Sequence, residues 1–145
     1  MNPDHGRRER AGAEIAVLMS GVVRTFRGGF VSCADRLELA PAEAQLIWLL
    51  DEDGDASTGG LARRLGVDPA NASTLLTKLE RRGLARRVPA ERDRRRRLVS
   101  LTRKGRERKT TLAKCMDEHQ PGFSRLTTSE LVSFRDLLRK VAGTE

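Results

Sequence analysis

The stretch Thr58 to Thr102, TGGLARRLGVDPANASTLLTKLERRGLARRVPAERDRRRRLVSLT, decides how the rest of the chain is read. It opens with a short helix, from about Thr58 to Leu65, which Thr58 is placed to cap and Gly66 to stop. Asp68 can cap a second helix and Pro69 fits its first turn. There Ala72, Leu75, Leu76 and Leu79 form an apolar stripe that runs to Gly83. Two short helices joined by a tight glycine turn make a helix-turn-helix. Beyond Gly83, Leu84–Val88 and Arg95–Leu101 read as strands on either side of the polar tip from Pro89 to Arg94, a β-hairpin or wing.

Working outward, Ile15, Leu18, Val22, Phe26, Phe30, Cys33 and Leu37 recur in steps of three or four and predict a long helix. Gly28-Gly29 predicts a bend or a close helix approach within it, and residues 1–11, polar and aperiodic, read as a mobile arm. Pro41 opens another helix, carrying Leu46, Ile47, Leu49 and Leu50, that stops at Asp53-Gly54-Asp55. Downstream, a helix runs from Thr102 to about Gln120 and is broken by Pro121-Gly122. Thr127 and Glu130 then fit a capping box ahead of Leu131, Phe134, Leu137, Leu138 and Val141.

The expected fold is mostly α with a small β-hairpin wing, a single winged helix-turn-helix domain over residues 12–145. Its DNA-binding lobe covers about 41–102, and its long dimerisation helices cover about 12–37 and 103–143. With 145 residues, one copy is short of the core needed to cover both terminal apolar stripes, so a homodimer is expected.

Charge points to the partner. Lys and Arg outnumber Asp and Glu by 28 to 20, for a net charge of +8, which favours a polyanion. Between Arg81 and Arg97 lie nine arginines with only Glu91 and Asp93 as acids, a density relieved when the counterions are phosphates. The outward face of the second short helix, Pro69, Ala70, Asn71, Ser73, Thr74, Thr77 and Lys78, offers amide, hydroxyl and methyl groups of the kind that read a major groove. In the wing, Arg86, Arg92, Arg94, Arg95 and Arg96 are candidate DNA contacts. Arg94 or Arg95 is expected in the minor groove, with Asp93 holding Arg95 or the hairpin tip. The resulting reading is a sequence-specific regulator on double-stranded DNA, with a non-specific or chromosome-organising DNA-binding protein as the alternative.

Other classes fit poorly. Hydrophobic residues are 38% of the chain, and no run approaches the roughly 20 apolar residues of a spanning helix. The N-terminus has no signal-peptide core, so a cytoplasmic protein without a membrane partner is expected. No metal-ligand cluster, phosphate-cradling loop or paired nucleophile and histidine is present, so no enzyme, metal or cofactor is expected. Asp51 to Asp55 lacks calcium-loop spacing and reads as an acidic surface turn. Cys33 and Cys115 read as two separate buried or half-buried thiols, with no zinc or disulfide spacing, and His119 as a surface residue. Phe26, Phe30 and Trp48 are candidates to line an apolar pocket where the first two helices meet.

The run Asp93-Arg94-Arg95-Arg96-Arg97-Leu98-Val99-Ser100-Leu101-Thr102 resembles the wing signature Asp-x-Arg-x-x-x-(Val/Ile/Leu)-x-Leu-Thr of the multiple-antibiotic-resistance regulator (MarR) family. Leu61-Ala62-Arg63-Arg64-Leu65-Gly66-Val67, Leu79-Glu80-Arg81-Arg82-Gly83-Leu84 and Lys104-Gly105-Arg106 support the likeness, which covers roughly residues 12–142. The resemblance implies a dimer whose first, fifth and sixth helices interlock, and a bacterial or archaeal repressor on a pseudo-palindromic operator. It also implies release by a small phenolic or otherwise lipophilic effector. Thr74 stands where many relatives have arginine, so base preference does not carry over. The chain has no tyrosine, and Cys33 falls late in the first helix, unlike the cysteine of hydroperoxide-sensing relatives.

Overall fold

Helix α1 runs unbroken from Pro3 to Arg36, straight through Gly28-Gly29 and through the residues read as a mobile arm. Proline is tolerated in its first turn, and His5 and Glu9, one turn apart, lie 3.1 Å from each other on its surface. The computed structural model describes residues 3–50, 56–90, 97–119 and 122–143, which pack as two compact units. The acidic turn expected at Asp51–Asp55 lies outside the described residues.

One unit comprises residues 30–115 and contains the lobe placed by sequence at 41–102. After α1 come α2 (Pro41–Leu49), β1 (Ala56–Ser57), α3 (Thr58–Leu65), α4 (Pro69–Arg81), β2 (Ala85–Pro89), β3 (Arg97–Leu101) and α5 (Arg103–Glu118), which ends just beyond this unit. The sheet is antiparallel with strand order β1-β3-β2; Ala56 faces Val99, and Ala85 to Pro89 face Leu101 to Arg97. The expected hairpin is therefore present, joined by a third strand that sequence reading passed over. Leu46, Ile47, Leu61, Leu76, Leu79 and Leu101 are fully buried and hold α2, α3, α4 and the sheet together.

Cys33 and Cys115 are buried as expected, but they are joined in a disulfide, their Cα atoms 5.8 Å apart, which corrects the reading of two separate thiols. The fold carries the end of α1 to the end of α5 across 82 residues, a proximity that spacing along the chain does not reveal.

The other unit comprises residues 1–29 and 116–145, with most of α1, a 3-10 turn at Phe123–Arg125, and α6 (Thr128–Ala142). The capping box that opens α6 is formed: Thr127 Oγ1 accepts from Glu130 N, and Glu130 Oε2 accepts from Thr127 N at 2.8 Å. The bond from the Thr127 backbone, and then that from its hydroxyl, hold the Glu130 carboxyl below the ordinary glutamate range. The lowered group favours the fold above the unfolded-state pKa and loses that contribution as pH falls through the folded value. A carboxyl-carbon NMR titration should place the Glu130 midpoint below that of an exposed glutamate. Thr127→Val, which keeps the backbone donor, should restore only part of the difference.

Ile15, Val17, Leu18, Val23, Leu137 and Val141 are exposed on α1 and α6, although soluble chains bury such stripes. α1 is also long and apolar enough, by length and composition, to cross a membrane, which departs from the sequence reading; from Ile15 to Ala34 its charges are Arg24 and Arg27.

Candidate nucleic-acid interface

Local chemistry fixes the two helices of the helix-turn-helix. The cap of α3 is Ser57 rather than Thr58, its Oγ accepting from Gly60 N at 3.1 Å. The extended Ser57 backbone pairs in β1 while its side chain starts the helix, which moves the cap one residue back. Gly66 ends α3 in the left-handed region at φ +68°, where a side chain is strained. Asp68 then caps α4, its Oδ1 accepting from Asn71 N at 2.9 Å.

On α4, Ala72, Leu76 and Leu79 are buried and Leu75 half-buried. Pro69, Ala70, Asn71, Thr74 and Lys78 are exposed, and Ser73 and Thr77 half-buried. The Thr74 and Thr77 hydroxyls donate to Ala70 and Ser73 carbonyls one turn back, at 3.0 and 2.9 Å, leaving their oxygens able to accept. Asn71 Nδ2 donates to Asp68 Oδ2, so the candidate adenine reader is pre-oriented by the cap.

The arginines divide by destination. Arg81, Arg86 and Arg97 are exposed. Arg87, on β2, pairs with Glu80 Oε2 of α4 and reaches Ser73 Oγ at 3.5 Å, tying the wing strand to α4. Arg82, at the C-cap of α4, donates to Glu43 Oε2 and to the Glu38 carbonyl, each at 2.8 Å. Glu43 is buried and also accepts from Ala40 N at 3.1 Å, so one carboxylate starts α2 and anchors α4. Ala40 cannot return that bond. Arg92, Asp93, Arg94, Arg95 and Arg96 lie outside the described residues. Sequence reading gave no role to Glu43, whose signal was the glutamate three residues after the Ala40 N-cap, or to the exposed Arg63 and Arg64 on α3.

Of the three aromatics assigned to a ligand pocket, Phe30 and Trp48 pack edge to face, with centroids 6.1 Å apart and planes at 88°. Phe26 is half-buried on α1 within the other unit. That unit also holds an apolar groove of about 480 Å³ lined by Val17, Leu18, Val22, Phe123, Leu126 and Phe134.

A sequence profile described as the MarR family matches residues 37–96. The chain is 32% identical over 89 residues to the uncharacterized HTH-type transcriptional regulator YfiV of Bacillus subtilis, covering 61% of this chain and 56% of that protein. It is 50% identical over 50 residues to the transcriptional activatory protein BadR of Rhodopseudomonas palustris, covering 34% of this chain and 29% of that protein. The chain thus spans about half the length of one of these relatives, and less of the other. Its fold is similar to that of CouR from Rhodococcus jostii RHA1, solved with p-coumaroyl-CoA bound. The TM-score is 0.74 at 24% identity, over 90% of this chain and 93% of that one. Residues 37–96 thus match the MarR family profile, and among them α2, α3, α4 and β2 make up the helix-turn-helix and the first wing strand described above.

Proposed function

We propose that this protein is a sequence-specific, DNA-binding transcription regulator that works as a homodimer on a pseudo-palindromic operator and answers to a small lipophilic or phenolic effector. The observation that carries this reading is the exposed face of α4. Ala70, Asn71, Thr74 and Lys78 stand outward on a helix capped at Asp68 and braced by Arg82 and Arg87, beside a hairpin whose described residues include exposed Arg86 and Arg97. A rigid polar helix with phosphate-seeking cations beside it supplies both parts of DNA recognition.

The apolar residues exposed on α1 and α6 support dimerisation, since a second copy removes them from water. The same need argues against a membrane role for α1. The p-coumaroyl-CoA bound by CouR supports a phenolic effector class, with Phe30 and Trp48, which pack against each other, as candidate contacts. Trp48 is the single tryptophan, so its fluorescence should respond when salicylate, a simple phenolic probe, is titrated in.

Selection from a random duplex library, followed by binding measurements, tests the reading. The selected site should bind on the order of 10³-fold more tightly than random duplex. Sequence-blind coating of all duplexes would instead favour a chromosome-organising protein. Asn71→Ala should lower discrimination at one base position by roughly 10- to 100-fold. Arg86→Ala should weaken binding to every duplex alike and reduce the salt slope by about 1.

A further inference from the structure

The disulfide joins the last turn of α1 to the last turn of α5 and closes a ring that contains the whole helix-turn-helix and the sheet. Its two sulfurs are unequal. Cys33 is fully buried, whereas Cys115 retains 7% exposure and has Nη1 of Arg36 at 3.6 Å from its Sγ. When the bond is open, a guanidinium at that position favours the Cys115 thiolate, the form that attacks a disulfide. Disulfides in proteins that act on intracellular DNA are usually transient and catalytic or redox-sensing, because the surrounding thiol pool is reducing. This last step rests on the DNA-binding reading given above.

We propose that Cys33 and Cys115 form a reversible redox site whose substrate class is a low-molecular-weight disulfide, and that its state changes operator affinity. The Cys115 thiolate attacks one sulfur of the small disulfide, forming a mixed disulfide and expelling one small thiolate. Cys33 then gives its proton to solvent, and its thiolate attacks Cys115 Sγ. The intramolecular bond forms and the second small thiolate leaves. Two protein thiols are oxidised and one small disulfide is reduced to two thiols, with no other oxidant. Running the steps backwards reopens the ring.

The experiment equilibrates the full chain in buffers of reduced and oxidised glutathione and counts free thiols by alkylation and intact mass. Both forms should be reached as the ratio is varied. A dithiol that persists in excess oxidised glutathione, or a bond that persists in excess reduced glutathione, overturns the proposal. Cys33→Ser should stop at one glutathione on Cys115, and Cys115→Ser should capture none; the reverse pattern overturns the assigned order of attack. Arg36→Met should slow capture by the Cys33→Ser variant about threefold or more at neutral pH, while Arg36→Lys retains the rate. Equal rates for Met and Lys would remove the role given to Arg36. Operator affinity of the two forms should differ by about fivefold or more, and equal affinity overturns the regulatory half of the proposal. The thiol counts need no DNA, so a protein that ignores DNA in both forms would refute the regulator reading and leave the redox chemistry separately decided.

Discussion

Gly105→Ala is expected to destabilise the lobe by about 3 kcal/mol and to lower its melting temperature by roughly 15 °C. Gly105 is buried in the first turn of α5, and a Cβ there would come to 1.9 Å from the Leu84 carbonyl oxygen, 3.0 Å from its carbon and 3.1 Å from Leu101 Cδ2. Alanine in a helix ordinarily gains about 1 kcal/mol over glycine, so the sign depends on whether the neighbours can move. They cannot move cheaply, because two of the three atoms are backbone. The Leu84 oxygen also accepts from Thr102 N at 3.1 Å, and the adjacent Gly83 carbonyl accepts from Thr102 Oγ1 at 2.6 Å. Relieving the overlap means prising α5 away from the turn between α4 and β2. Urea unfolding of the variant checks this; stability equal to or above that of the parent would refute the claimed close packing.

The second large effect concerns Glu43 and Arg82, and its asymmetry is the informative part. Arg82→Ala should cost about 3 kcal/mol and Glu43→Ala about 2 kcal/mol. Side-chain exposure sets that order: Glu43 is 8% exposed and Arg82 35%. Removing the arginine strands a carboxylate that water scarcely reaches, with the Ala40 N–H still donating to it. Removing the glutamate leaves a guanidinium that still holds the Glu38 carbonyl and can turn to solvent, while the exposed Ala40 donor finds water. A double-mutant cycle should give a coupling of about 1–2 kcal/mol. If Glu43→Ala proved the more damaging of the two, the burial argument would fail. Because Arg82 stands at the C-cap of α4, Arg82→Ala should also weaken DNA binding by more than the loss of one positive charge explains, and Glu43→Ala should weaken it although a negative charge is removed.

Much of the fold can be read directly from residue order, because its signals are local. Asp68-Pro69 starts α4, Thr127 and Glu130 start α6, and Gly66, placed one residue after α3, ends it. Each is a bond or a backbone angle confined to a few neighbouring residues. Features that depend on residues far apart were missed or misread. β1 is two residues long, too short for any alternation, and exists because Ala56 and Ser57 meet Val99 and Leu98. Its pairing also moved the α3 cap to Ser57.

The candidate DNA surface divides along the same line. The polar face of α4 follows from helical period alone, as does its cap-held Asn71. The arginine run does not resolve itself, for Arg81, Arg82, Arg86 and Arg87 look equivalent in sequence. Tertiary contacts separate them, turning Arg82 to Glu43 and Arg87 to Glu80 while leaving Arg81 and Arg86 to solvent.

Residue order by itself therefore determined the succession of helices and hairpin and the polar face of α4, because periodicity and capping act over a single turn. The tertiary structure alone decided which arginines brace the lobe and that Cys33 meets Cys115, because those choices depend on which distant side chains the packed helices bring within bonding distance.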